Sequence, residues 1–261
     1  MYAKEKHSNK NKQLTTDHRP LTTLIYIAGL DGTGELLFKQ ISELARSYRV
    51  VTFRSRDSGR FTYEDLTDDV AAIIRQSKET RAIILGESFG GTVAMMFALR
   101  YPQMVERLVV VNSFPRFRKR LKIRLAAWLA SVLPFRLLWP VRFAACALGL
   151  HLDGVSRDDR RRFFKAIRTV KKEGYARRLQ LIAELNIEDR LSEIEAPTLF
   201  IAGEKDLLVS SAKEARRMAA RMRNATVKII KGAGHACLLG NRVHLAELLN
   251  EWRAVESASR K

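Results

Sequence analysis

Short apolar runs alternate with stretches of helical periodicity along most of the chain. The apolar runs lie at 24–28, 50–53, 82–85, 108–111, 198–202 and 227–230. Between them, apolar residues recur every three or four positions, as at Leu66, Val70 and Ile74, which is the spacing of one helix face. Because short apolar runs are typical of strands buried in a parallel sheet, we expect an α/β fold. Its central sheet should be mostly parallel, with helices on both faces.

Two further stretches of helical spacing flank this pattern. Leu37, Ile41 and Leu44 predict a helix that ends near Ser47. Close to the carboxyl terminus, Leu245, Leu248, Leu249 and Trp252 predict an amphipathic helix, and His244 is expected inside it.

Length and composition limit the class of protein. The 261 residues suit one large domain with an insertion, and 46% hydrophobic residues exclude a globally disordered chain. Cys146 and Cys237 lack the spacing of metal ligands, so we expect neither a disulfide scaffold nor a metal site. The first twenty residues are polar, without a secretory signal, and no apolar stretch reaches the roughly 18 residues of a transmembrane helix. We therefore expect a cytoplasmic protein, with peripheral membrane contact as an addition.

One motif carries recognisable chemistry. Gly86-Glu87-Ser88-Phe89-Gly90 matches G-x-S-x-G and lies between a predicted strand and a predicted helix. In that context the serine occupies a strained turn, and the elbow glycines, Gly86 and Gly90, let the strand and helix approach closely. Ser88 is therefore the candidate nucleophile, although the same glycines could belong to a helix start that packs or binds an anion.

A serine nucleophile needs a base and an orienting acid. Of the five histidines, His235 follows the last predicted strand on a loop of small residues, whereas His244 is expected within a helix. Asp206 follows the strand at 198–202 and gives the order Ser88, Asp206, His235, the order typical of this triad. Glu204 is the rival acid, which we interpret as a solvated loop charge. Asn112, after the strand at 108–111, offers no carboxylate.

The loop after the first predicted strand supplies the remaining part of the site. It contains Gly29, Leu30, Gly32 and Gly34. We expect the backbone amides of Leu30 and Phe89 to form an oxyanion hole. The alternative is that these glycines only make a turn.

With these motifs the sequence resembles the α/β-hydrolase superfamily over roughly residues 21–255. The short motifs at 30–34 and 86–91 are also similar to the hydrolase-like part of phytyl ester synthase and diacylglycerol acyltransferase proteins. The resemblance implies cleavage of an ester, thioester or amide through an acyl-enzyme, with no metal or organic cofactor. The common His-Gly of the oxyanion loop is replaced by Ala28-Gly29.

The net charge of +19 is concentrated in one segment. Residues 114–178 hold 18 basic and 4 acidic residues, whereas residues 21–113 hold 11 of each. We therefore expect a mobile basic tail at 1–20, a hydrolase core at 21–113 and 191–261, and an inserted basic helical cap at 114–190. Within the cap, Arg157 to Lys172 should form a cationic helix with an apolar face that includes Phe163, Ile167 and Val170.

Three functions of the basic cap remain open. It could cover an acyl pocket, contact an anionic membrane surface, or bind nucleic acid. The absence of a nucleic-acid-binding motif argues against the last. The expected small-molecule substrate is an acyl ester or thioester with an apolar chain. Acyl transfer to an alcohol or lipid, and a catalytically silent binding protein, are the alternatives, and the sequence predicts no oligomeric state.

Overall fold

The computed structural model describes residues 21–137 and 154–259, and the centre of this part is a six-stranded parallel sheet. The strands are β1 (Thr23–Ile27), β2 (Arg49–Phe53), β3 (Ala82–Glu87), β4 (Val105–Val111), β5 (Thr198–Gly203) and β6 (Ala225–Ile230). They lie in the order β2-β1-β3-β4-β5-β6, with every neighbouring pair parallel. The predicted α/β fold with a parallel sheet is confirmed.

The helices follow the strands in the predicted alternation. In the described ranges they are α1 (Ile41–Leu44), α2 (Tyr63–Gln76), α3 (Phe89–Arg100), α4 (Arg120–Val132), α5 (Arg157–Arg168), α6 (Lys172–Glu184), α7 (Ser211–Ala219) and α8 (Leu245–Ser259). A capping box at Thr62 and Asp65 fixes the start of α2.

Alternate residues of the strands pack into two separate hydrophobic cores, one on each face of the sheet. Ile25, Ile84 and Val110 face α2, α3 and α7 on one side of the sheet. Leu24 and Leu85 face α1 and α8 on the other side. Because successive side chains of a strand point to opposite faces, the four central strands β1, β3, β4 and β5 are covered on both faces, which explains why they are continuous apolar runs. The edge strands β2 and β6 keep exposed positions.

The three helices that the structure describes in the basic segment lie on the sheet's carboxyl edge. Ala127 and Ala130 of α4 pack against Ala176 and Leu179 of α6. In α5, Phe163, Ala166 and Ile167 pack with Leu36, Ala236 and Leu239, which belong to the loops after β1 and β6. In the described ranges, no helix has the length and apolarity to cross a bilayer.

Three local expectations differ from the structure. The helix expected up to Ser47 is only the four-residue α1, because the buried Gln40 amide donates to the carbonyls of Leu238 and Val243 and so ties this segment to the core. His244 precedes α8, which begins at Leu245. The cationic helix α5 ends at Arg168, and Val170 is buried beyond its end. The predicted tail at 1–20 and Cys146 lie outside the described residues.

Candidate active site

Ser88 occupies the sharp turn between β3 and α3. Its backbone has φ +53° and ψ −117°, a conformation that costs free energy for a residue with a side chain and is typical of functional positions. A Cβ atom on Gly86 would overlap the backbone of Gly90, and one on Gly90 would overlap the carbonyl of Ile27. The two elbow glycines are therefore required by close approach of the strand, the helix and the end of β1.

The turn lies where the order of the strands reverses. β1 has β2 on one side and β3 on the other, and Ile27 pairs with Gly86 at the carboxyl ends of β1 and β3. In open parallel sheets this switch point is the usual place of a ligand crevice. A Cβ atom on Gly29, in the loop after β1, would lie 3.4 Å from the Cβ atom of Ser88.

The structure brings Ser88, His235 and Asp206 together in one hydrogen-bonded chain. The Nε2 atom of His235 lies 3.0 Å from Oγ of Ser88, and its Nδ1 atom lies 2.7 Å from Oδ2 of Asp206. With the proton on Nδ1, the imidazole donates to the carboxylate and accepts from the serine hydroxyl. His235 and Asp206 are both buried, and the three residues are 29 and 147 positions apart.

Asp206 is fixed by its own loop. Its Oδ1 atom accepts hydrogen bonds from the amides of Leu208 (2.9 Å) and Val209 (3.3 Å), and Oδ2 accepts from the hydroxyl of Ser211. Burial raises the pKa of Asp206, but His235 and these donors outweigh that effect and hold the pKa below its ordinary value. The carboxylate therefore stays charged beside the imidazole.

Burial and charge act in opposite directions on His235. Burial lowers the pKa of His235, but the charge and hydrogen bond of Asp206, assisted by Glu87, raise it above the ordinary value of 6.5. A base with a raised pKa accepts a proton more readily, which suits general base catalysis near neutral pH.

The two predicted oxyanion donors are the backbone amides of Phe89 and Leu30. Phe89 is the first residue of α3, so its N–H has no carbonyl one turn earlier to bond. Leu30 follows Gly29 in the adjoining loop, and its side chain packs against the core. Within the described residues neither amide donates a hydrogen bond. Both predicted donors are therefore free to bind an oxygen of a ligand.

Sequence reasoning missed Arg178, which lies on α6 and is completely buried. Its Nε atom donates to the carbonyl of Leu30 at 2.9 Å, and Nη2 donates to that of Asp31 at 3.1 Å. Nη1 donates to the carbonyl of Arg56 at 2.9 Å. The guanidinium thus fixes the peptide units of the loop that carries the Leu30 amide. No local pattern could have identified it, since Arg178 lies 148 positions from Leu30.

Asn112 is the second residue that sequence reasoning undervalued. It has φ +47° directly after β4. Its side-chain amide donates to the carbonyl of His235 at 2.5 Å, and its carbonyl oxygen accepts from the amide of Gly203 at 2.8 Å. Asn112 therefore joins the loop of the base to the end of β5, which precedes Asp206.

The rival residues have other contacts. Glu204 is exposed on its loop, as expected, and its carboxylate accepts a hydrogen bond from the amide of Gly232 at 2.8 Å. The imidazole of His244 lies 3.8 Å from the carboxylate of Glu43. Neither takes part in the hydrogen-bonded chain at Ser88.

Glu87, the residue before the serine, is a buried carboxyl group. It accepts a hydrogen bond of 2.6 Å from the hydroxyl of Tyr26. Burial raises the pKa of Glu87 to about 7, and the nearby charge of Asp31 adds to this, although Tyr26 and His235 oppose it. A proton at Glu87 is therefore held up to neutral pH, close to the imidazole of His235.

The arrangement can activate a hydroxyl and bind a developing oxyanion. Acyl transfer requires a carboxylate, an imidazole and a serine that are hydrogen-bonded in that order, together with free amides for the oxyanion. The site has all of these groups. Among the residues that the structure describes, no cluster of His, Cys, Asp or Glu could hold a metal ion.

Comparison with known proteins gives one family match. A family model described as the alpha/beta hydrolase fold matches residues 22–241. The "Putative carbamate hydrolase RutD" of Serratia proteamaculans (strain 568) is 28% identical over 88% of this chain and 90% of that protein. Phytyl ester synthase 1, chloroplastic, of Arabidopsis thaliana is 26% identical over 87% of this chain, but the match spans 36% of that protein. The structure of MenH from S. aureus superposes with a TM-score of 0.79, 19% identity, and coverage of 92% and 96% of the two chains.

Proposed function

Because the chain belongs to the α/β-hydrolase fold family, we propose that it is a serine hydrolase that cleaves carboxylic esters or thioesters through an acyl-enzyme. The observation that carries the proposal is the hydrogen-bonded chain from Ser88 through His235 to Asp206. Within the described residues the backbone amides of Leu30 and Phe89 donate no hydrogen bond, so they are available as donors. Ser88 would be the nucleophile, His235 the general base and Asp206 the group that orients it.

The reaction would proceed in two halves. Nε2 of His235 takes the hydroxyl proton as Oγ of Ser88 attacks the acyl carbon, and the amides of Leu30 and Phe89 donate to the resulting oxyanion. Collapse of this intermediate expels the alcohol or thiol, which receives the proton from the imidazolium and leaves the acyl group on Ser88. Water then attacks the acyl-enzyme as its proton passes to His235. Collapse of this second intermediate breaks the bond to Oγ, His235 returns the proton to Oγ of Ser88, and the carboxylic acid is released.

A cavity of about 280 Å³, lined by both apolar and charged side chains, is the candidate place for the acyl chain. Phe114, Phe117, Leu208 and Val209 line it. Residues of its lining are linked to the site residues at two places. Phe114 follows Ser113, whose hydroxyl donates to the carbonyl of Ser88 at 2.7 Å, and Leu208 and Val209 donate to Asp206. Its lining also includes five cations and one acid, namely Arg116, Arg118, Lys119, Lys213, Arg217 and Glu214. The excess of positive charge would favour a leaving group with negative charge, such as a phosphorylated thiol carrier.

Replacement of the nucleophile tests the proposal. Ser88→Ala should reduce turnover of p-nitrophenyl esters by at least about 10⁴-fold, because the acyl-enzyme cannot form. It should also abolish labelling by a fluorophosphonate probe. Ser58→Ala, at an exposed serine, is the matched control and should keep full activity. Native-like turnover in Ser88→Ala, or an unlabelled native protein, would sink the assignment.

Two related reactions deserve the same assay because specific similarities favour them. The 28% identity to the RutD protein favours carbamates as substrates, and the similarity to phytyl ester synthase 1 favours transfer of the acyl group to an alcohol. Both would use the same acyl or carbamoyl intermediate on Ser88. Adding carbamate esters to the substrate panel, and a long-chain alcohol as acceptor, separates the three by their products.

A further inference from the structure

Four large apolar side chains of the helix α4 are exposed to solvent. Leu121 is 81% exposed, Leu125 56%, Trp128 59% and Val132 52%. The buried face of the same helix is formed by Ala127 and Ala130. A helix of a globular domain ordinarily has its large apolar residues inside, whereas α4 has four outside, and its Ile123 and Leu129 are partly buried in the packing on α6.

These four residues form one continuous stripe, here called the α4 outer face. They are spaced by four, three and four positions, and at about 100° per residue they fall within one narrow sector of the helix surface. The opposite sector is occupied by the packing of Ala127 and Ala130 on Ala176 and Leu179. The orientation of the stripe is therefore fixed by the contact with α6.

Positive charge surrounds the stripe on all sides. By the same helical geometry, Lys122 and Arg124 flank it on opposite sides, and both are exposed. Lys119 and Arg136 lie exposed just before and after the helix. In the described ranges none of these four cations makes an ion pair, and the chain holds no acidic residue from 107 to 152.

We propose that the α4 outer face binds the surface of a bilayer that contains anionic lipids. Leu121, Leu125, Trp128 and Val132 would enter the interface, while the flanking cations meet the headgroups. This combination of an apolar stripe with Trp and flanking Lys and Arg is what an in-plane interfacial helix requires. The 13 residues of α4 would lie about 20 Å along the membrane surface.

The charge selects the bilayer over other occupants of this face. A second copy of the chain would bring a second set of cations against the first, which repel at low salt. A nucleic acid would use the cations but leave the apolar stripe without a role. An anionic bilayer is complementary to both parts of the α4 outer face.

Co-sedimentation of the full chain with vesicles tests the proposal without an activity readout. Partitioning should be at least about tenfold greater onto vesicles of phosphatidylglycerol and phosphatidylcholine than onto phosphatidylcholine alone, and 0.5 M salt should remove most of that difference. Leu125→Glu and the pair Lys122→Glu, Arg124→Glu should each lower binding about tenfold. Val255→Glu, at a residue 65% exposed on α8, is the matched control and should bind like the native chain.

Fluorescence gives an independent readout of the face that binds. Anionic vesicles should shift the emission of the native chain to shorter wavelength, and Trp128→Phe should lose that shift while still pelleting. Three results would overturn the proposal. They are equal partitioning onto neutral and anionic vesicles, Leu125→Glu binding as tightly as Val255→Glu, and no lipid binding together with a dimer that Leu125→Glu dissociates.

Discussion

Replacing Arg178 with methionine should slow the chemical step more than it weakens substrate binding. Methionine keeps an apolar stem of similar length and removes the guanidinium. The carbonyls of Leu30, Asp31 and Arg56 then lose donors that lie at 2.9 to 3.1 Å. Burial lowers the pKa of Arg178, although the charges of Asp31 and Asp57 oppose this.

The size of the effect follows from those contacts. Breaking a buried, hydrogen-bonded charge network costs about 3–5 kcal/mol of unfolding free energy. Complete loss of one oxyanion donor lowers kcat by about 10²–10³. Because Arg178→Met would displace the Leu30 amide rather than delete it, we expect kcat to fall by about 10–100-fold, with KM nearly unchanged since that contact strengthens in the transition state.

Both the stability of the folded variant and its catalytic rate must be measured. Urea unfolding gives the free energy of unfolding, and turnover of a p-nitrophenyl ester, normalised by fluorophosphonate titration of folded sites, gives kcat. Arg177→Met is the matched control, because Arg177 also donates to a backbone carbonyl, that of Phe61 at 2.7 Å, but does not contact the oxyanion loop. If kcat per titrated site were equal in the two variants, Arg178 would have no role in positioning Leu30.

Two predictions concern the buried titratable groups. His235 must be neutral to act as the base. Burial lowers the pKa of His235, but Asp206 outweighs that effect and raises it. The value of kcat/KM should therefore rise with pH through a midpoint above 6.5, and a midpoint below 6 would contradict the assignment. Glu87 holds its proton in the folded state up to about pH 7 but loses it near 4.5 when unfolded. Its contribution to stability is therefore present below pH 4.5 and is lost as the pH rises to 7, by about 3 kcal/mol. In urea unfolding, the free energy of unfolding of Glu87→Gln minus that of the native chain should be larger at pH 8 than at pH 4.5 by that amount. A difference that does not change with pH would refute the raised pKa of Glu87.

Local sequence was sufficient for the parts of the protein that local physics controls. The apolar runs predicted the strands because a strand covered on both faces must be apolar throughout. The glycines at 86 and 90 predicted the turn at Ser88 because neither position has room for a Cβ atom. The parallel sheet then accounts for the meeting of Ser88, Asp206 and His235, since the carboxyl ends of β3, β5 and β6 share one edge.

Tertiary structure alone decided the supporting contacts and the outward face of α4. Arg178 reaches Leu30 across 148 positions, and Asn112 reaches His235 across 123. The periodicity of α4 is the same whether its leucines face inward or outward, and only its packing on α6 through alanines determined the direction. The physical reason is that periodicity records which residues share a face, whereas the partner of that face is chosen by the energy of contacts between distant parts of the chain.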